Sequence, residues 1–585
     1  MLRAKSMECI SLVGMAVGKD VFREDAKEVM GVLNNLQNAG GAQKPESDDP
    51  TTGYMLQAWA RICKTLGEEF VPYLPYVMPP LLTSASIKPD VTIRNADDAD
   101  DEEESDDVAT YDVGDQKISI NTAVLEEKAT ACSMVLCYAE ELKENFYPYI
   151  EQVAEIMMPL VKFFFHEEVR KAAAQTLPEL LVAAALSVKK GKATAAHHNA
   201  QWVKNLGCAF VKALLEVVED ESESELLCAE LESINECLQV LCPPAEDVAG
   251  GKEQVLLDPT QLEACVVQFE EVLKGSVERS TERIERSKTE DFDEEEREEL
   301  QAEHEAESEV LDAVNECIGT LAKCLKSQLH PYFDRLLPYI LQLLSEQSSS
   351  DERRVAICIF DDIVEHTGEG GAANKYFPQF MPHFLSAAVN AHDDLRQAAV
   401  YGVGVCAQFG GAAFVPYLAP VAQALNACVS APESRSEDKA AATENAISSL
   451  GKIVIYQRDN IQGALGQPPE VLADFWLSLL PLHDDIVEAR EVHKLLVKLI
   501  TENDAMVLGA NQKNLGELAR IMVHALSEGV PSLTKKRALV TDETGAQMVT
   551  LLKQLQGALP AEQFAKAAQG LNETQQKMVQ ALLSQ

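Results

Sequence analysis

Apolar residues recur at three- and four-residue spacings along nearly the whole chain, in stretches of about 15–20 residues broken by Gly, Pro or Asp. This period predicts one amphipathic α-helix after another. The two-residue alternation of a half-buried strand is not read anywhere. Proline falls mostly at the expected helix entrances, where its missing N–H costs nothing.

The pattern also repeats. One phrase is an aromatic, a proline and an apolar helix: "FVPYLPYVMPPLL" from Phe70, "FYPYIEQVAEIMMPLV" from Phe146, "HPYFDRLLPYILQLL" from His330, "YFPQFMPHFLSAAV" from Tyr376 and "FVPYLAPVAQALNACV" from Phe414. A second phrase follows it, an acidic turn and then a helix rich in small residues: "EEVRKAAAQTLPELLVAA" from Glu167, "DERRVAICIFDDIVEH" from Asp351, "DDLRQAAVYGVGVCAQFGG" from Asp393 and "EDKAAATENAISSLGKIV" from Glu437. Each pair predicts one antiparallel helical hairpin. Second helices are expected to begin near residues 2, 49, 122, 167, 221, 300, 350, 393, 435, 484 and 531. Most intervals are about 42–54 residues, close to the HEAT/armadillo period of roughly 40–47.

The expected fold is therefore all-α, a HEAT-repeat solenoid of about ten hairpins spanning 1–585. Two intervals are longer, about 73 and 79 residues, and hold the acidic runs "DDADDEEESDD" at 97–107 and Glu290–Glu309. They are read as an acidic insertion loop at 87–121 and as an acidic insertion or helix extension at 288–309. Residues 559–585 read as polar C-terminal capping helices. Leu2–Val17 reads as a second helix with no first helix before it, which raises the expectation that upstream repeats are missing.

Charge narrows the function classes. The 585 residues carry a formal net charge of −44, of which the two acidic runs supply −20. The remaining −24 is spread over the helices. Such a field disfavours phosphate backbones and anionic membrane surfaces and steers basic partners. Direct nucleic-acid binding is therefore not expected. No uncharged apolar run of 18 residues is found, so no membrane insertion is expected. The 14 cysteines show no C-x-x-C pair, and buried free thiols in a reducing compartment are expected rather than zinc sites.

The densest chemistry is "CIFDDIVEHTG" at 358–368. Asp361, Asp362, Glu365 and His366 resemble an acid/base cluster, but no nucleophile, glycine loop or orienting group stands nearby. The helical period places the three carboxylates on one stripe, with Ile357, Phe360 and Val364 on the packed stripe. His366 closes the helix, near its terminal carbonyls. The carboxylates are candidate cargo-binding residues, with a structural role between repeats as the competing reading. In "YGVGVCAQFGG", Gly402 and Gly404 point to close helix packing rather than phosphate binding. "LHDD" at 482–485 reads as a turn and helix N-terminus, "TKKR" at 534–537 as charged surface. Candidate acidic contacts for basic segments are Asp97, Asp98, Asp100, Asp101, Glu102, Glu103, Glu104, Glu294, Glu295 and Glu296. No catalytic, metal or cofactor-binding residue is assigned, and no enzyme activity is expected.

The phrases "LEEKATACSMVLCYAEELKE", "FHEEVRKAAAQTLPELL", "CIFDDIVEH", "LRQAAVYGVGVCAQFGG", "TENAISSLGKI" and "WLSLLPLHDDIVEA" resemble, in the same order, the C-terminal half of receptors of the importin-beta (karyopherin-beta) family. The resemblance implies a right-handed superhelix with first helices convex and second helices concave. It implies basic-signal cargo on the concave side, phenylalanine-glycine nucleoporins on the convex side, and shuttling of a monomer between cytoplasm and nucleus through the pore. It also implies Ran-GTP binding, here weakened because the family's N-terminal repeats have no counterpart. The alternative is a HEAT-repeat scaffold subunit organising an enzyme or other protein complex.

Overall fold

The computed structural model describes residues 2–40, 51–88, 91–95, 108–113, 116–243, 257–288, 294–534 and 537–584. It is built from helical hairpins in two compact units. The first comprises Met1–Gly275 with Glu299–Cys324, and the second Ser276–Glu298 with Leu325–Gln585. Two long helices, Pro259–Arg286 and Glu294–Leu325, contribute residues to both.

In the first unit, Leu74–Ala85 pairs with Thr122–Leu142, Ile150–Leu160 with Glu167–Lys189, and Ala200–Val218 with Ser224–Leu241. In the second, Phe377–Ala387 pairs with Asp393–Phe409 and Val415–Ser430 with Glu437–Tyr456. Within each unit successive second helices pack side by side, as Thr122–Leu142, Glu167–Lys189 and Ser224–Leu241 do, and Ser350–Thr367, Asp393–Phe409 and Glu437–Tyr456 likewise.

The repeated aromatic supplies the reason. Phe70, Phe146, Phe333 and Phe414 are fully buried, and Pro75, Pro331 and Pro416 stand at first helical turns, where no N–H is needed, while Pro148 beside Phe146 lies inside the 3₁₀ turn Lys143–Tyr149. The second helix Ser350–Thr367 buries Val355, Ile357, Ile359, Phe360, Ile363 and Val364. At about 1.5–3 kcal/mol for each such side chain, this face alone outweighs anything helix propensity contributes. Phe360 lies flat on Phe380, with ring centroids 3.9 Å apart. Ser349 and Glu352 close a capping box at the helix start.

Several expectations change. The absence of strands is corrected: β1 (Val91–Asn95), β2 (Val108–Val113) and β3 (Gln116–Asn121) form an antiparallel sheet in the order β1-β3-β2. Val91 pairs with Ile120, and Thr110 with Ser119. The segments are rich in β-branched residues, which suit a pleated surface, but each is short and the acidic run separates the first two. The sheet thus occupies much of the expected 87–121 loop, and β3 leads straight into Thr122–Leu142. The uncharged stretch Gly411–Ser430, with a mean hydropathy of 1.4, corrects the statement that no such run exists. It is the first helix of a hairpin, burying Leu418, Val421, Leu425 and Cys428 against its neighbours. The last second helix begins at Asp542 rather than near 531, because Thr541 caps it through the Thr544 N–H. Of the second acidic run, the described residues 294–309 are the first half of the helix Glu294–Leu325. Residues 97–107, including Asp97, Asp98, Asp100, Asp101, Glu102, Glu103 and Glu104, lie outside the described residues.

Candidate binding surface

The three carboxylates of "CIFDDIVEHTG" do not share one environment. Asp361 is 5% exposed, against the expectation of a solvent-facing stripe. Its Oδ1 has no hydrogen-bond partner, and the opposing helix comes close enough that a Cβ on Gly402 would collide with that oxygen and reach within 2.7 Å of Phe384. Burial, and then repulsion from Asp362 and Glu365, raises the Asp361 pKa well above the usual carboxylate range. Asp362 is half-buried and lies 3.5 Å from His366, so the histidine faces this side chain as well as the end of its helix. Glu365 accepts a 2.7 Å hydrogen bond from the Tyr401 hydroxyl. Glu294, Glu295 and Glu296 are exposed on the first turn of their helix.

The glycines of "YGVGV" do what their spacing predicts. Gly402 admits Asp361, and Gly404 admits Ser449, whose hydroxyl donates to the Val400 carbonyl at 2.5 Å. "LHDD" is a helix entrance. Asp485 caps Glu488 N, while the N–H groups of His483, Asp484 and Asp485 converge on the buried Glu444 carboxylate at 2.6–2.9 Å. Lys535 and Lys536 of "TKKR" lie outside the described residues.

A carboxylate ridge that no local motif announces runs over the second helices of the first unit. Glu140 stands on Thr122–Leu142, Glu179 on Glu167–Lys189, Glu232 and Glu236 on Ser224–Leu241, and Glu316 on Glu294–Leu325. Crowding strips water from the Glu236 carboxyl, although its side chain is exposed at the surface. Glu179, Glu232, Glu140 and Glu316 repel it further, and its pKa rises to about 7. Glu179 is raised too, by burial and by Glu140. Glu316 accepts from Asn235, whose own carbonyl oxygen takes the Thr320 hydroxyl at 2.7 Å. Such a ridge is strained by its own charge and gains when a cation arrives. Members on successive helices are 39–80 positions apart in the chain, so only hairpin stacking brings them together.

Glu151, His197 and His198 are the one trio among the described residues with donor atoms close enough for a metal. The hydrogen bonds argue otherwise. Tyr147 Oη accepts from Thr194 N and Ala195 N, both at 3.1 Å, which leaves its proton for His198 Nδ1 at 2.7 Å. His198 Nε2 then carries the hydrogen and donates to Glu151 at 3.0 Å. Both ring nitrogens are committed, so the trio reads as a loop clasp.

Stacked helical hairpins with a carboxylate ridge along their second helices define a HEAT-repeat protein built around a surface. Comparison with known proteins gives the chain its relatives. Residues 226–346 match the family profile "Importin repeat 6". The chain is 28% identical over 516 residues to the "Probable importin-5 homolog" of Dictyostelium discoideum, covering 87% of this chain and 44% of that protein. It is 28% identical over 563 residues to importin subunit beta-3 of Saccharomyces cerevisiae, covering 96% and 47% respectively. The crystal structure of Kap121p bound to Ste12p superposes with a TM-score of 0.77 at 24% identity, over 99% of this chain and 48% of that one. Kap121p solved with RanGTP and with Nup53p has the same fold. Importin-5 and importin beta-3 are thus homologues of this chain, which spans about half the length of the curated relatives it matches.

Proposed function

We propose that this chain is a binding segment of a nuclear transport receptor, engaging basic segments of protein cargo through its second-helix face. The carboxylate ridge of Glu140, Glu179, Glu232, Glu236 and Glu316 carries this reading, because its mutual repulsion is relieved by a row of lysines or arginines. The reading is non-enzymatic, since binding and release do the work. Candidate cargo contacts in the second unit are Glu365 and Asp362, with Asp361 supporting them from beneath. Glu294, Glu295 and Glu296, and the run at 97–107, are further contacts for basic segments.

By analogy with Kap121p, which has been solved with Nup53p and with RanGTP, the partners include phenylalanine-glycine nucleoporins and Ran-GTP. The phenylalanines would dock among first helices, where Tyr76 and Val471 are exposed. A protein with these partners moves between cytoplasm and nucleus. The test is fluorescence anisotropy with a labelled lysine-rich peptide. Affinity should fall steeply between low and physiological salt and should survive deletion of residues 97–107. The combined variant Glu179→Gln, Glu232→Gln, Glu236→Gln should lose most of it. Binding that ignores salt, or that vanishes when residues 97–107 alone are deleted, overturns the reading.

A further inference from the structure

The order β1-β3-β2 leaves β2 (Val108–Val113) outermost in its sheet. Among the described residues its only extended packing partner is β3, so one of its two edges carries no ladder. The register is unbroken from Val108 opposite Asn121 to Val113 opposite Gln116, with no bulge. Along a strand the N–H and C=O of successive residues point to opposite edges, so alternate residues of β2 present both groups outward. The sheet is tied to the helices behind it. Ile120 of β3 is 1% exposed, and Asn121 caps Thr122–Leu142 by accepting from the Val124 N–H at 3.3 Å.

Natural sheets blunt such edges with lysine, proline, a bulge or a covering helix. β2 reads "VATYDV" and has neither lysine nor proline; its Val, Thr and Tyr residues favour the extended chain. Charge then selects the occupant. The one charged residue of β2 is Asp112, and nine carboxylates precede the strand in sequence at 97–107. A second copy would bring the same acidic run to the same edge, on a chain of net charge −44, and is repelled. A strand bearing cations is drawn in. β1 is the poorer edge for it, being one residue shorter and carrying Arg94 opposite Lys117 in the register.

We propose that β2 receives an extended segment of a partner polypeptide as a fourth strand of this sheet. The segment is rich in β-branched residues, free of acidic ones, and carries lysine or arginine. Its main chain pairs with the outward N–H and C=O groups of β2, and hydrogen bonding of that kind supplies the affinity. This differs in kind from the carboxylate ridge, which meets side-chain charge and is indifferent to backbone conformation. The proposal rests on the basic-segment reading above only for the sign of the partner's charge.

The experiment is hydrogen–deuterium exchange by mass spectrometry on the full chain, with and without an octapeptide of alternating lysine and valine. A second peptide has the same sequence with its central amides N-methylated, which keeps every charge and side chain but removes the donors on both edges. The plain peptide should slow exchange of the outward amides of Val108–Val113 roughly tenfold or more. The methylated peptide should bind this edge about tenfold more weakly or worse, the equivalent of two or more lost hydrogen bonds, and leave that exchange unchanged at the same concentration. Equal protection by the two peptides means that charge alone holds them, and overturns strand addition. Peptide binding by anisotropy without protection of Val108–Val113 overturns the edge while leaving the cargo reading intact. Protection that grows with the chain's own concentration, without peptide, assigns the edge to a second copy and overturns the proposal. Failure of the plain peptide to bind anywhere overturns both readings.

Discussion

Asp361→Asn is expected to stabilise the protein, and increasingly so as pH rises. In the native fold this carboxyl is buried, one oxygen lacks a partner, and Asp362 and Glu365 stand close by. Its folded pKa therefore lies well above the ordinary value of 3.8. Between the two values the folded state holds more protons than the unfolded chain, so stability falls as pH rises through that window. The contribution is complete below pH ~4 and is lost above the raised pKa. Asparagine keeps the size, removes the charge and abolishes that slope. An unsatisfied buried polar group costs about 1–3 kcal/mol, and Lys452 recovers part of it through its favourable field. A gain of about 1–2 kcal/mol at pH 8 is expected, shrinking toward pH 4. In a unit of this size that corresponds to roughly 2–4 °C per kcal/mol in Tm. Urea and thermal unfolding of both proteins, followed by circular dichroism from pH 4 to 8, measure the difference. A variant less stable than wild type at pH 8, or a difference flat with pH, would refute the reasoning. Either result would mean that the carboxylate is ionised and well paired.

Gly402→Ala should lower stability by about 1–3 kcal/mol in the same assay, because its Cβ would meet Asp361 and Phe384. Glu352→Ala removes one partner of the buried Arg283–Glu352 ion pair, 2.9 Å apart, and the capping box with it; a loss of about 3–5 kcal/mol is expected by urea denaturation. Basic-peptide binding should strengthen between pH 6 and pH 8, because Glu236, with a pKa of about 7, must give up its proton to meet a cation. Glu236→Gln should flatten that profile, and a pH-independent wild type would show that the ridge is not the contact.

The hairpin array was legible in the chain because helix period, entrance prolines and capping residues are local properties. Most second helices begin within a few residues of where the pattern places them, as at 51, 122, 167, 350 and 393. Even the close approach at Gly402 and Gly404 followed from residue size. The three-stranded sheet was missed because its segments are only five or six residues long and flank a run of carboxylates that dominates the local composition. Burial of Asp361 was beyond local reasoning. Asp361 faces Gly402, some forty positions on, and only the packed neighbour decides whether a helix face meets water. The ridge from Glu140 to Glu316 is of the same kind: it is assembled from residues on several helices, and its charge repulsion and burial exist only once those helices stack. The sequence by itself determined the repeating unit, its phase and its acidic character. The tertiary structure decided which carboxylates are exposed, which are buried and which act together, because those properties belong to the spaces between repeats.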